Sequence, residues 1–223
     1  MSTVLIVAPH PDDETLGCGG AILRHVENGD QVHWLIVTDM NTEYGHAAVA
    51  VRQRQMEIQK VLAAYRFSKV HNLGLPPARL DTLPKGDLVQ AMARVIKEIS
   101  PEVVYLPFRG DVHSDHAAVF DAAATCTKWF RYPSIRRVLC YETLSETDFG
   151  LNPEGAKFTP NSFVDIAPYL ENKIKIAQMY DGEMGEFPFP RSEKALTALA
   201  QVRGVACGCH AAESFILLRE ICK

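Results

Sequence analysis

Two short polar clusters carry the residue types that do chemistry. One is His10-Pro11-Asp12-Asp13-Glu14; the other is Asp111-Val112-His113-Ser114-Asp115-His116. Read as a four-residue turn, His10 to Asp13 puts Pro11 at the second position, where its fixed φ suits types I and II. Such a turn brings its first and fourth residues within about 7 Å between Cα atoms. His10 and Asp13 then converge, while Asp12 points another way. An imidazole and a carboxylate are two of the three protein ligands of a catalytic metal site, which keeps one position for water. His113 and His116 lie three apart at the start of a predicted helix and share a face, so one can ligate while the other stays free. The helix N-terminus disfavours the imidazolium form, and metal binding needs the neutral base. His116 lies further into the helix and is the favoured third ligand. His113 is left for acid–base work or for holding an oxyanion. Asp12 is placed to take a proton from water, and Asp115 to orient His113. That last contact needs the segment to stay non-helical until about His116, because residues two apart on a helix do not face each other.

The elements that must position these clusters follow from apolar patterning. Residues 3–8, 33–38, 69–73, 102–106 and 137–141 read as strands; most are short buried runs rich in β-branched residues. Helical patterns cover about 16–28, 48–65, 87–99 and 116–130. Strand and helix alternate through residue 145, which predicts an α/β fold with helices on both faces of a mostly parallel sheet. Both clusters fall at carboxyl ends of strands, where open parallel sheets bind ligands. Residues 145–162 read as loop, with Pro153, Gly155 and Pro160. A strand at 162–166, helices at 166–180 and 192–203, and the Gly/Pro-rich stretch 181–190 complete the tail. The chain is read as one domain, 1–223, with a core over 1–145 and C-terminal cap elements over 146–223.

Taken singly, each cluster has a plainer reading. A His-Pro pair at a strand end is commonly just loop, and Asp12 or Asp13 is a ready N-cap. The coincidence of both clusters at strand ends favours function. The rival from another class is a dinucleotide-binding oxidoreductase or regulatory module. Gly17-Cys18-Gly19-Gly20 lies between strand and helix, and Asp39 ends the next strand, as the dinucleotide fingerprint requires of its ribose-binding acid. The third glycine position is Ile22, however, and the glycines come too late for the first tight turn. Close helix–sheet packing explains them better. No Gly-x-Ser-x-Gly elbow is present, which argues against a serine hydrolase. Cys207-Gly208-Cys209-His210 lacks a second cysteine pair at zinc-finger spacing. His25, His33, His46 and His71 have no clustered partners and read as surface or packing residues.

With 223 residues, 47% of them apolar and 22% charged, the chain can bury a full core without staples. A net charge of −4 and a pI of about 6.1 disfavour binding along a nucleic-acid backbone or an anionic membrane. The early apolar run Val4 to Ala8 is too short for a membrane span or a signal-peptide core. Six scattered cysteines read as buried thiols of a cytoplasmic protein.

Ala8-Pro9-His10-Pro11-Asp12-Asp13-Glu14, continuing Thr15-Leu16-Gly17-Cys18-Gly19-Gly20, resembles the opening signature of the LmbE-like, or PIG-L, de-N-acetylases. His113-Ser114-Asp115-His116 is similar to their His-x-Asp-His motif. The likeness extends to Arg54-Gln55-Met56-Glu57 and to Ala212-Glu213-Ser214-Phe215. It implies a Rossmann-like fold and metal-dependent removal of an N-acetyl group, commonly from an N-acetylglucosaminyl moiety. By motif, His10, Asp13 and His116 hold zinc, with iron(II) as the in-cell alternative, and Asp12 is the general base. His113 is the acid or oxyanion partner, with Asp115 behind it. The resemblance also implies an Arg54 that reaches substrate and an Asp81 that accepts a sugar hydroxyl. The implied partner is a small amino-sugar substrate, and the resemblance leaves room for a homo-oligomer. Some relatives carry tyrosine where this chain has Asp111, so His113 and the metal must do more here, or another group substitutes. Glu213 is read as a structural partner for a backbone group or an arginine.

Overall fold

The computed structural model describes residues 1–151, 155 and 157–222. Five parallel strands run through the predicted core: β1 (Thr3–Ala8), β2 (Gln31–Thr38), β3 (Lys69–Leu75), β4 (Val103–Pro107) and β5 (Arg137–Tyr141). Between them lie α1 (Asp13–Glu27), α2 (Ala48–Tyr65), α3 (Lys85–Ile99) and α4 (Ser114–Thr125). The tail adds β6 (Ser162–Asp165), α5 (Leu170–Ala177), α6 (Glu193–Cys207) and β7 (Ala212–Glu220). The sheet order is β3-β2-β1-β4-β5-β7-β6. β7 runs antiparallel to both β5 and β6.

Side chains on a strand alternate between faces, and β1 shows how that divides the core. Val4, Ile6 and Ala8 pack with α1, α2 and α5 on one face. Leu5 and Val7 pack with α3 and α4 on the other. A strand covered on both sides must be apolar throughout, and all five of these residues have no solvent exposure.

The tail does more than cap. β7 is inserted into the sheet beside β5, with Leu217 opposite Leu139 and Phe215 opposite Tyr141. The sequence reading left 212–220 without an element, because Ala212–Phe215 stood out only as a motif. Glu213 of β7 accepts backbone N–H bonds from Gly20 and Ala21 of α1, both at 2.8 Å, and binds Lys173 Nζ of α5 at 2.7 Å. A lysine and a helix backbone thus fill the role read for Glu213. Other differences are at element ends. α1 starts three residues before the predicted Leu16, with Asp13 and Glu14 in its first turn, where carboxylates suit the helix dipole. α4 stops at Thr125 rather than about 130. Pro153 lies outside the described residues. Among the described residues no helix is long and apolar enough to cross a membrane. Cys18, Cys126 and Cys140 are buried thiols as read, whereas Cys207, Cys209 and Cys222 are partly or fully exposed.

Candidate metal and catalytic site

The order β3-β2-β1-β4-β5 reverses direction between β1 and β4. Ligands bind at such a switch point, beyond the strands' carboxyl ends, and both polar clusters sit there. After β1 the chain makes the predicted turn. The Asp13 N–H faces the His10 carbonyl at 3.4 Å, and the His10 N–H donates to Asp13 Oδ2 at 2.8 Å. His10 Nδ1 lies 3.3 Å from the same carboxylate oxygen. Asp12 is turned elsewhere by a φ of 142°, a conformation that costs a residue with a Cβ about 1–3 kcal/mol. Strain of this kind concentrates where a side chain must be aimed.

After β4, α4 begins at Ser114, with His113 as its N-cap. His113 Nδ1 accepts the Asp115 N–H at 3.2 Å. The neutral ring therefore carries its proton on Nε2. Burial and the neighbouring His10 lower the His113 pKa, which favours that neutral, Nε2–H form. His116 is 1% exposed. Its Nδ1 pairs with Asp111 Oδ2 at 2.7 Å, and Thr147 Oγ1 donates to Asp111 Oδ1 at 2.6 Å. His116 Nε2 faces Asp13 Oδ2 at 3.3 Å and is buried with no hydrogen-bond partner.

Two sets of three side chains bring ligand atoms within 4.8 Å of one another: His10, Asp13 and His116, or His10, His113 and Asp115. The donor chemistry separates them. Metal-ligating histidines characteristically give their second ring N–H to a carboxylate. In the first set, His10 Nε2 meets Asp115 Oδ2 at 3.1 Å and His116 Nδ1 meets Asp111. That leaves His10 Nδ1, His116 Nε2 and Asp13 Oδ2 facing one another. In the second set Asp115 is already engaged by the N–H groups of Ala78 at 2.7 Å and Leu80 at 3.1 Å. The residues present fit a divalent metal held by His10, Asp13 and His116. The protonation balance agrees. Burial alone lowers an imidazole's pKa, yet Asp115 and Asp13 raise His10 to about 9, and Asp13 and Asp111 raise His116 to about 10. Burial opposes ionisation of Asp13, but His116 and His10 hold it well below the usual carboxylate range. The cluster demands positive charge, and a metal supplies it while releasing the ring protons.

Asp12 is buried beside this set. Burial and the Asp13 charge push its pKa well up, opposed by Arg191. Arg191 Nη1 donates to Asp12 Oδ2 at 2.8 Å and to Glu183 at 2.9 Å, Nη2 reaches Glu146 at 3.1 Å, and Nε bonds Ser145 Oγ at 2.7 Å. Sequence reasoning missed Arg191, because a single arginine after a Pro-rich stretch carries no local signal. Beneath Asp12, Glu14 accepts the Asp12 N–H at 3.0 Å and the Tyr180 hydroxyl at 2.6 Å.

A pocket of about 230 Å³ opens over Asp12, lined also by His10, His113, Arg54, Arg191 and Asp39. Arg54 is a buried lining residue held by other protein groups. Nη1 donates to the Pro11 carbonyl at 3.0 Å, and the guanidinium pairs with Glu183 and Glu57. Asp81 is not brought to the pocket. It is exposed in the 3-10 turn Leu80–Thr82, whose Leu80 N–H is the group that turns inward, to Asp115. The expected carboxylate contact from Asp115 to His113 is also corrected. α4 starts too early for residues two apart to face each other, so Asp115 reaches His10 and only its backbone N–H holds His113. Asp111 orients His116. His46, read as a surface or packing residue, lines the pocket.

The dinucleotide alternative loses its footing here. The glycines lie inside α1, and a Cβ on Gly17 would sit 2.3 Å from the Tyr141 ring, one on Gly20 2.4 Å from Ile166. They permit close packing and form no phosphate cradle.

The chain is similar to several known proteins. The diacetylchitobiose deacetylase of Thermococcus kodakarensis is 26% identical, over 94% of this chain and 80% of its own. The probable N-acetyl-alpha-D-glucosaminyl L-malate deacetylase 2 of Bacillus anthracis is 24% identical, over 79% of each chain. The crystal structure of a conserved protein from Thermus thermophilus, TT1542, matches with a TM-score of 0.79 and 25% identity, covering 100% of this chain and 97% of that one. Residues 5–127, more than half the chain, match the family model described as PIG-L, GlcNAc-PI de-N-acetylase. This chain belongs to the PIG-L family of de-N-acetylases.

Proposed function

We propose that the protein is a zinc-dependent hydrolase that removes the N-acetyl group from an N-acetylglucosaminyl-type amino sugar or its conjugate, releasing acetate. The observation that carries the reading is the buried, unpartnered His116 Nε2, facing Asp13 beside His10. Asp12 stands on the pocket side of that cluster. Zinc bound by His10, Asp13 and His116 supplies Lewis acidity toward water and the amide carbonyl; iron(II) suits the same donors. Asp12, with its raised pKa, accepts the proton of the water that attacks the acetamide carbon. The Nε2–H of His113 donates to the carbonyl oxygen as charge develops there. Collapse breaks the C–N bond, the amine nitrogen takes up the proton that Asp12 accepted from water, and acetate leaves. Arg191 holds the Asp12 carboxylate in place, and Arg54 holds the Pro11 carbonyl, so both act by positioning. Six unpaired cysteines suit a reducing cytoplasm.

Acetate release from N-acetylglucosamine derivatives tests this. The expected result is one metal per chain and turnover abolished by a chelator and restored by zinc. Metal-free protein with full activity would overturn the reading.

A further inference from the structure

Asp39 directly follows β2 and lines the same pocket as Asp12 and His113. Its backbone N–H donates to the Leu75 carbonyl at 3.0 Å. Its Oδ2 accepts from Asn72 Nδ2 at 2.6 Å, and Asn72 Oδ1 in turn accepts the Gly74 N–H at 2.8 Å. That second bond fixes which end of the amide faces Asp39. The carboxylate is thus anchored through one oxygen. The other, Oδ1, is shielded from solvent and has no hydrogen-bond partner. An ionised carboxylate accepts and never donates. With Oδ2 held by Asn72, Oδ1 is the oxygen left to accept from a donor arriving through the pocket.

The other charged groups lining the pocket sharpen the choice of donor. Arg54 is engaged by Pro11, Glu57 and Glu183, and Arg191 by Asp12, Glu183, Glu146 and Ser145. Both guanidinium groups therefore have anionic partners within the protein. Four carboxylates, Asp12, Asp39, Glu146 and Glu183, line the pocket against these two arginines.

Resting on the de-N-acetylase reading of the site, we infer that Asp39 is a specificity residue that accepts a hydrogen bond from a ring hydroxyl of the substrate. The substrate's non-reacting part is then an uncharged, hydroxyl-bearing sugar rather than a carboxylate-bearing conjugate. Among the pocket's lining residues, an anionic aglycone would meet four carboxylates and no guanidinium without an anionic partner.

The test is a panel: methyl N-acetylglucosaminide, its 3-, 4- and 6-deoxy analogues, and N-acetylglucosaminyl malate. Binding is measured by titration of the zinc-loaded protein, and turnover by acetate release, for the natural chain and for Asp39→Asn. A hydrogen bond to a charged group implies that one deoxy analogue binds about 10- to 100-fold more weakly than the parent, with the loss in KM more than in kcat. Asp39→Asn should treat that analogue and the parent nearly alike. The malate conjugate should bind more weakly than the methyl glycoside. Uniform binding of all deoxy analogues by the natural chain needs no variant to fold and would overturn the inference. So would an unchanged penalty in Asp39→Asn, or a preference for malate. Asp39-dependent sugar binding without acetate release would instead overturn the de-N-acetylase reading and support the role of Asp39.

Discussion

The strand ends of the core and the C-terminal tail contribute to one pocket in different ways. The ends of β1 and β4 bring the groups proposed to react: His10, Asp12 and Asp13 from one turn, His113 and His116 from the start of one helix. The tail brings Glu146, Glu183 and Arg191, which surround Asp12 without approaching the metal ligands as donors. The first region is compact in sequence because one turn and one helix start can aim several side chains at a point. The second is dispersed because tuning a charge needs only proximity, which distant loops can supply. Motif-bearing segments therefore carry the proposed chemistry, and the tail sets the electrostatics around Asp12.

That contrast is most sharply tested at Asp12. Asp12→Asn removes the base and leaves the ligand set intact, so kcat should fall about 10²- to 10⁴-fold with metal content unchanged. A kcat near that of the natural chain would mean that the turn supplies ligands only.

Next in size is the tether between the two regions. Glu213→Ala leaves two N–H groups of α1 and the buried Lys173 ammonium without their carboxylate. Breaking a buried pair in this way costs about 3–5 kcal/mol, a large part of the about 5–15 kcal/mol stability of a typical domain. Urea unfolding measures it, and a loss below about 1 kcal/mol would show that β7 docks without this contact.

The smallest effect is expected at Arg191, which acts only through Asp12. Asp12 is pushed up by burial and by Asp13 and is held down by Arg191. Arg191→Gln should raise it further. A base works deprotonated, so the acid limb of the kcat profile should move to higher pH, and the loss should be greater at low pH than at high pH. A uniform loss across pH would make Arg191 a packing residue.

The same division explains what the sequence made legible. β1, β2, β4 and β5 were readable because doubly covered strands are apolar along most of their length, β3 only weakly because Lys69 and Asn72 are exposed, and the His10 to Asp13 turn because Pro11 constrains it. The close approach of His10, Asp13 and His116 follows from β1 and β4 being neighbours, which the alternating pattern implies only through topology. β7 was not legible as a strand, because its pairing with β5 and β6 is antiparallel and long-range. Asp81 and Asp39 show the limit for single polar residues. Both sit after strands, and only the register of β2 with β3 and the Asn72 contact set Asp39 facing the pocket. Asp115 shows that the position of a helix start decides which partner a carboxylate can reach.

The central claim is that His10, Asp13 and His116, rather than His113, hold one divalent metal. Equilibrium zinc binding by His116→Ala and His113→Ala, each compared with the natural chain, tests it directly. His116→Ala should lose zinc affinity by orders of magnitude, while His113→Ala keeps near-normal affinity and loses turnover. The reverse pattern, with affinity lost only in His113→Ala, would contradict it.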